Sequence, residues 1–89
     1  MSHTVTNKAR LIARVRRLKG QMEAIERALE SEVACADILN QVASVRGAIN
    51  GLTAELIEDH LREHVVSAEG EAREEAAAEL IDVIRTYMR

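Results

Sequence analysis

Residues 35–64 read CADILNQVASVRGAINGLTAELIEDHLREH, and the stepping of the apolar positions through this stretch decides the fold. Cys35, Ile38, Val42, Val45, Ile49, Leu52 and Leu56 alternate steps of three and four, the seam of an α-helix packed against other helices, and His60 is the next step of four. His64 follows one further turn along. The dipeptide Asn50-Gly51 commonly marks a turn, and a break there would fold Cys35 back toward His60 within one chain. The stripe keeps its phase across the dipeptide, whereas an inserted turn would reset it, so the pattern favours one continuous helix. Cys35 and His60 are then both expected on its buried stripe.

A second seam precedes this one. Leu11, Val15, Leu18, Met22, Ile25 and Leu29 repeat the same rhythm, with Thr6 or Asn7 as the cap and Ser31-Glu32 as the polar break that follows. A third, more acidic helix is expected after Gly70, with Leu80, Ile84 and Tyr87 or Met88 facing inward. Phe, Trp and Pro are absent, Tyr87 is the only aromatic, and Ala, Leu, Ile, Val, Glu and Arg dominate. The expected class is all-α, a three-helix subunit forming one domain over residues 1–89. A chain this short buries only a modest fraction of its surface, which favours association with copies of itself. No apolar run approaches the roughly 20 residues that cross a membrane, and the first seventeen residues lack the apolar core of a signal peptide, so a cytoplasmic protein is expected. The single cysteine cannot make an internal disulfide and persists there as a thiol.

If the helix through residues 35–60 is unbroken, its 25 residue steps at about 1.5 Å each set Cys35 roughly 37 Å from His60. No single chain then unites them. Two copies packed antiparallel about a two-fold axis would bring Cys35 of one beside His60 of the other at both ends of the pair. The midpoint falls between Gly47 and Ala48, where Gly47, Ala48 and Gly51 let two backbones approach. That explains glycines that otherwise cost about 1 kcal/mol each within a helix. With the first helices added, the dimer becomes an antiparallel four-helix bundle. The first helix doubles back across a short loop, so its start near His3 is expected beside His60 and His64. The candidate metal site is therefore His3, His60 and His64 of one chain with Cys35 of the other.

Taken singly, these residues have ordinary explanations, because a lone Cys is commonly a small core residue and a His pair at i, i+4 is commonly solvated. Their convergence on one place carries the metal reading. Three imidazoles and one thiolate suit Ni(II), Co(II) or Zn(II), while one sulfur is poor for Cu(I); spacing does not choose among the first three. A Cys-His pair also suggests nucleophilic catalysis, but no orienting third group, oxyanion donors or substrate pocket can be found in the sequence. Neither an enzyme nor an organic cofactor is expected.

The net charge of −3 hides an asymmetry. Lys8, Arg10, Arg14, Arg16, Arg17 and Lys19 fall in the first twenty residues with no acid among them, so the remainder sets six cations against fifteen carboxylates, a net charge of −9. Such a basic end suits nucleic acid, although a solvated face is the commoner meaning. Arg10, Arg14 and Arg17, spaced by four and three, line one flank of the first helix, with Arg16 and Lys19 across its seam.

RVRRLKGQ (residues 14–21), CADILNQVASVRGAINGL (residues 35–52) and the spacing of Cys35, His60 and His64 together resemble the copper-sensitive operon repressor family, which includes nickel/cobalt and formaldehyde sensors. The resemblance covers nearly the whole chain. It implies a dimer of antiparallel dimers, a homotetramer, that binds double-stranded operator DNA without a helix-turn-helix and releases it when the sensor site fills. It also implies that Arg14 and Arg17 are the leading DNA contacts, with Arg46 of the second helix behind them. The set His3, Cys35, His60 and His64 looks like the nickel/cobalt branch, in which the freed amine of residue 2, here Ser2, can join the metal. Copper sensors place a second Cys where His64 stands. Formaldehyde sensors typically pair the Cys with a proline amine at position 2, where this chain has Ser2, and usually replace His64. The function implied is an apo-form repressor released by Ni(II) or Co(II), derepressing a metal efflux gene. The alternative is a formaldehyde sensor using Cys35 and the N-terminal amine, controlling a detoxification operon. From another class, a metal-carrying or scaffolding bundle that never touches DNA would use the basic segment only for solubility.

Overall fold

The computed structural model describes residues 7–88. Helix α1 spans Lys8–Glu30, α2 spans Cys35–His60, a six-residue π-helix covers Leu61–Val66, and α3 spans Gly70–Tyr87. No strand occurs among the described residues. The all-α, three-helix expectation holds, and α2 passes through Asn50-Gly51 unbroken over 26 residues.

The chain divides into two compact units, Lys8–Thr53 and Ala54–Arg89, the second joined by Asn7. In the first, α1 and the greater part of α2 form a helical hairpin. The connecting turn is a Schellman motif: the Val33 amide donates to the Ala28 carbonyl at 3.1 Å, the Glu32 amide to Leu29 at 3.4 Å, and Glu32 takes the left-handed φ of 56°. Two cross-helix relations set the antiparallel register. Gln21 Nε2 donates to Ser44 Oγ at 3.3 Å, and the Arg14 guanidinium lies against Gly51, where an added Cβ would meet Nη1 at 3.0 Å. A side chain at position 51 would have to move the tip of Arg14 by a few tenths of an ångström.

Only one row of each apolar seam is covered by this hairpin. Leu11 and Ile25 on α1 and Val45 on α2 are buried, with Leu18, Ile38 and Leu52 half-buried. Val15, Met22 and Leu29 on α1, and Val42 and Ile49 on α2, remain exposed. Cys35 is exposed as well, which corrects its expected burial. The reason is geometric: two helices cover one side of each other, and a seam of alternating three and four steps presents two rows.

In the second unit α3 packs on the π-helix. Gly70, at φ 61°, turns the chain into α3. Ala76 is the buried residue of α3, and Leu80 and Ile84, the next steps of four, are half-buried. Of Tyr87 and Met88, one of which was expected to face inward, neither does: they are 64% and 79% exposed at the end of α3. No helix among the described residues is long and apolar enough to cross a membrane.

Candidate metal centre and basic helix

His60 is the last residue of α2 and His64 lies in the π-helix that continues it. The Ser67 amide closes that helix on the Arg62 carbonyl at 3.1 Å, five residues back. The two imidazoles face each other with centroids 5.0 Å apart and planes at 52°. An imidazole nitrogen at about 2.0–2.1 Å from a first-row ion puts its ring centre a little over 3 Å away, so two ligating rings lie roughly 4.5–5.3 Å apart. The observed pair falls within that span.

His60 is also oriented from behind. Its Nε2 lies 3.1 Å from the Ala76 carbonyl oxygen, and since a carbonyl only accepts, Nε2 carries the proton. The lone pair of the neutral ring is then on Nδ1. A ligand histidine commonly donates its other N–H to a backbone carbonyl in this way, which fixes tautomer and ring plane. Two open grooves meet at His60. One, of about 260 Å³, is mostly apolar and bounded by Leu56 and Leu80; the other, of about 340 Å³, exposes His60 and His64 beside Glu63, Glu75 and Glu79. Two imidazoles are donors of the kind a borderline divalent ion takes, and the second groove leaves space beside them.

Among the described residues no three His, Cys, Asp or Glu side chains converge to hold a metal ion. Cys35 stands at the first residue of α2, 25 residue steps from His60, and is solvent-exposed. His3 and Ser2, with its amine, lie outside the described residues. Asn7 is the nearest described residue to them, and its Nδ2 donates to Asp59 Oδ2 at 2.8 Å, one residue before His60.

Along α1, Arg10, Arg16, Arg17 and Lys19 are exposed, as is Arg46 on α2. Arg14 differs, being half-buried with its guanidinium on Gly51. The basic side chains of α1 therefore differ in exposure, Arg14 being half-buried and Arg10, Arg16, Arg17 and Lys19 exposed.

The sequence matches the family described as metal-sensitive transcriptional repressor over residues 7–86. The chain belongs to that family. It is 41% identical to the transcriptional repressor RcnR of Salmonella typhimurium, with all of both chains covered. An uncharacterized protein in the bioA 5′ region of Serratia marcescens is 50% identical, again over all of both chains. Among solved structures, a glutamate-to-histidine variant of the formaldehyde-responsive regulator FrmR from Salmonella enterica serovar Typhimurium is 48% identical. It aligns with a TM-score of 0.87, covering 96% of this chain and 98% of that one. Members of the family are transcriptional repressors rather than enzymes, and membership implies operator DNA as a partner and a metal as effector.

Three features of this repressor escaped sequence reasoning. The Ala76 carbonyl behind His60 has no side-chain signal. The Asn7–Asp59 hydrogen bond spans 52 residues and was masked by the helix-capping role that Asn7 also suits. Arg73 donates from Nε to the carbonyls of Val65 at 2.9 Å and Ala68 at 3.0 Å, and from Nη2 to Val66 at 3.4 Å. A signal did exist for it: it is the lone cation among Glu69, Glu71, Glu74 and Glu75.

Proposed function

We propose that this repressor occupies its operator in the apo form and releases it on Ni(II) or Co(II), derepressing a metal efflux gene. The observation that carries the metal reading is the facing His60–His64 pair, with His60 held through Nε2 on Ala76. His60 offers Nδ1, His64 a second imidazole, and His3 and the partner's Cys35 complete the set, with the Ser2 amine as a further donor. A metal supplies the cross-link among groups that no single chain unites. His3 is in reach because Asn7 is tied to Asp59 and four residue steps span at most about 13–14 Å. The rows of apolar side chains left exposed on α1 and α2 support the antiparallel dimer, since a second hairpin would cover them. A dimer of such dimers, and one domain over residues 1–89, complete the proposed assembly, which works in the cytoplasm.

Phosphate contacts from Arg17 and Arg14, aided by Arg10, Arg16, Lys19 and Arg46, hold the operator. Residues 8–53, which carry these cations, contain no Phe, Tyr or Trp for base stacking, so sequence preference comes from a few Arg contacts and DNA shape. Drawing His3 onto His60, His64 and the partner's Cys35 pulls on the segment that leads into α1. A coupling of about 1–3 kcal/mol, roughly 5- to 150-fold in operator affinity, is enough for regulation.

A specific observation favours a second reading. Cys35 is exposed, and a structural relative is formaldehyde-responsive. An aldehyde sensor would join the Cys35 thiol to the N-terminal amine through one carbon, with loss of water. The histidine of that relative is an introduced one, whereas His64 is part of this chain's own sequence, which favours the metal. The deciding experiment is operator retardation by the apo-protein, titrated in turn with Ni(II), Co(II), Zn(II), Cu(I) and formaldehyde. Release by nickel and cobalt at lower concentration than the others supports the first reading; release by formaldehyde alone replaces it. Failure to bind a promoter fragment would favour a metal-carrying bundle instead.

A further inference from the structure

A π-helix ends with carbonyls that its own amides cannot reach, as every helix does, and six residues offer little cooperativity to hold so wide a turn. In this chain the last two of those carbonyls, Val65 and Val66, are met from outside. Arg73, the fourth residue of α3, gives Nε–H to both the Val65 and Ala68 carbonyls and Nη2–H to Val66. One guanidinium thereby joins the last two residues of the π-helix, the loop that follows it, and α3. His64 immediately precedes Val65. The wide turn sets the angle at which its ring meets His60, 5.0 Å away with planes at 52°, because a π-turn leaves a residue four steps along roughly 30° short of a full circle and an α-turn carries it about 40° past.

We propose that Arg73 is a positioning residue for the metal site, its guanidinium holding the π-helix in the register that sets His64 against His60. The inference rests on the reading of His60 and His64 as metal ligands. It adds a residue that touches neither the metal nor a ligand side chain. It also gives α3 two holds on the site, since Ala76 of the same helix orients His60. Arg73 is exposed and its donors all go to backbone carbonyls, so charge alone does not replace it; the fork of N–H groups is what spans the three acceptors.

The test uses the full chain, Co(II) as probe, affinity by competition with a chelator, and the visible Co(II) absorption as the report on ligand geometry. Arg73→Met keeps the length of the side chain and removes the donors. It is expected to weaken Co(II) binding about tenfold or more, in the range for residues that support ligands, and to alter the visible bands. Arg73→Lys, able to reach one carbonyl at a time, is expected between the two. Arg73→Leu is a second deletion, likewise without a donor, to be used if Arg73→Met loses helix content by circular dichroism. The decisive arm combines Arg73→Met with His64→Ala. If Arg73 acts through His64, the double variant binds no more weakly than His64→Ala alone. Wild-type affinity and spectrum in Arg73→Met, or an equal loss from it in the His64→Ala background, would overturn the proposal. If His64→Ala itself binds Co(II) like the wild type, the ligand reading is at fault and the role of Arg73 falls with it.

Discussion

Asn7 Nδ2 donates to Asp59 Oδ2 at 2.8 Å, tying the residue just before α1 to the residue just before His60. The bond is part-buried and involves a carboxylate, which places it among the stronger side-chain hydrogen bonds. If His3 is a ligand as proposed, such a tether would raise its effective concentration at the site. We predict that Asn7→Ala weakens nickel and cobalt binding by roughly 3- to 10-fold, as loss of a tether of this strength would. The same substitution in a His3→Ala background should change little. An equal loss in both backgrounds would show that Asn7 acts on something other than His3.

Arg14→Ala combined with Arg17→Ala should weaken operator binding and leave metal affinity largely unchanged. The salt dependence should flatten by about 0.9 in logarithmic slope for each phosphate that a bound subunit no longer neutralises. Because Arg14 is seated on Gly51 and Arg17 is free to reach out, the single Arg17→Ala variant should account for the larger part of the slope change. Retardation across a salt series measures this. A slope equal to that of the wild type in the double variant would remove α1 from the interface.

Glu32 holds a left-handed φ of 56° at the end of α1, a conformation that costs a side-chain-bearing residue about 1–2 kcal/mol and glycine almost nothing. Glu32→Gly should therefore raise stability by about 1 kcal/mol, part of the relief being returned as extra freedom in the unfolded chain. Urea unfolding at fixed protein concentration gives the value. A decrease would mean that the Glu32 side chain contributes more than its backbone strain removes.

Much of this architecture is legible from residue types, and the exceptions have physical reasons. The phase from Val45 through Leu56 carried α2 across Asn50-Gly51, because a helix interior tolerates one glycine more readily than a seam tolerates a reset. The π-helix at Leu61–Val66 left no such trace, since it changes the hydrogen-bond partner by one residue without demanding a new residue type. Burial of Cys35 was inferred from a seam with two rows, and periodicity cannot say which row a chain covers with its own helices. The histidine pair was visible as i, i+4 spacing. What orients it, a backbone carbonyl at Ala76, lies beyond any side-chain pattern.

Gly20 and Gly47 both sit inside helices, and a Cβ on either meets nothing within 4 Å in the chain itself. Helix propensity alone would then make Ala at each position stabilising by about 1 kcal/mol. Gly47 differs in lying at the midpoint of the proposed antiparallel pairing of two α2 helices. We predict that Gly20→Ala raises the melting temperature, while Gly47→Ala lowers it and shifts the assembly toward smaller species in sedimentation. A gain at both positions would argue that no second backbone approaches Gly47.

The cross-chain site makes the sharpest demand. A straight helix of the 26 residues from Cys35 to His60 would set its ends roughly 37 Å apart, so in the proposed assembly each site takes Cys35 from one chain and His60 from the other. A pure Cys35→Ala dimer and a pure His60→Ala dimer should both lack the thiolate-to-cobalt absorption of the wild type. In a mixed dimer the two lesions fall together in one site, and the other regains Cys35 and His60. Mixing the variants under conditions that exchange subunits should therefore restore part of the cobalt spectrum, up to one intact site in each mixed dimer. If each site lay within one chain, every chain in the mixture would still carry a lesion and none of the absorption would return. Absence of recovery, with exchange demonstrated by a labelled subunit, would remove the antiparallel pairing and the shared site together.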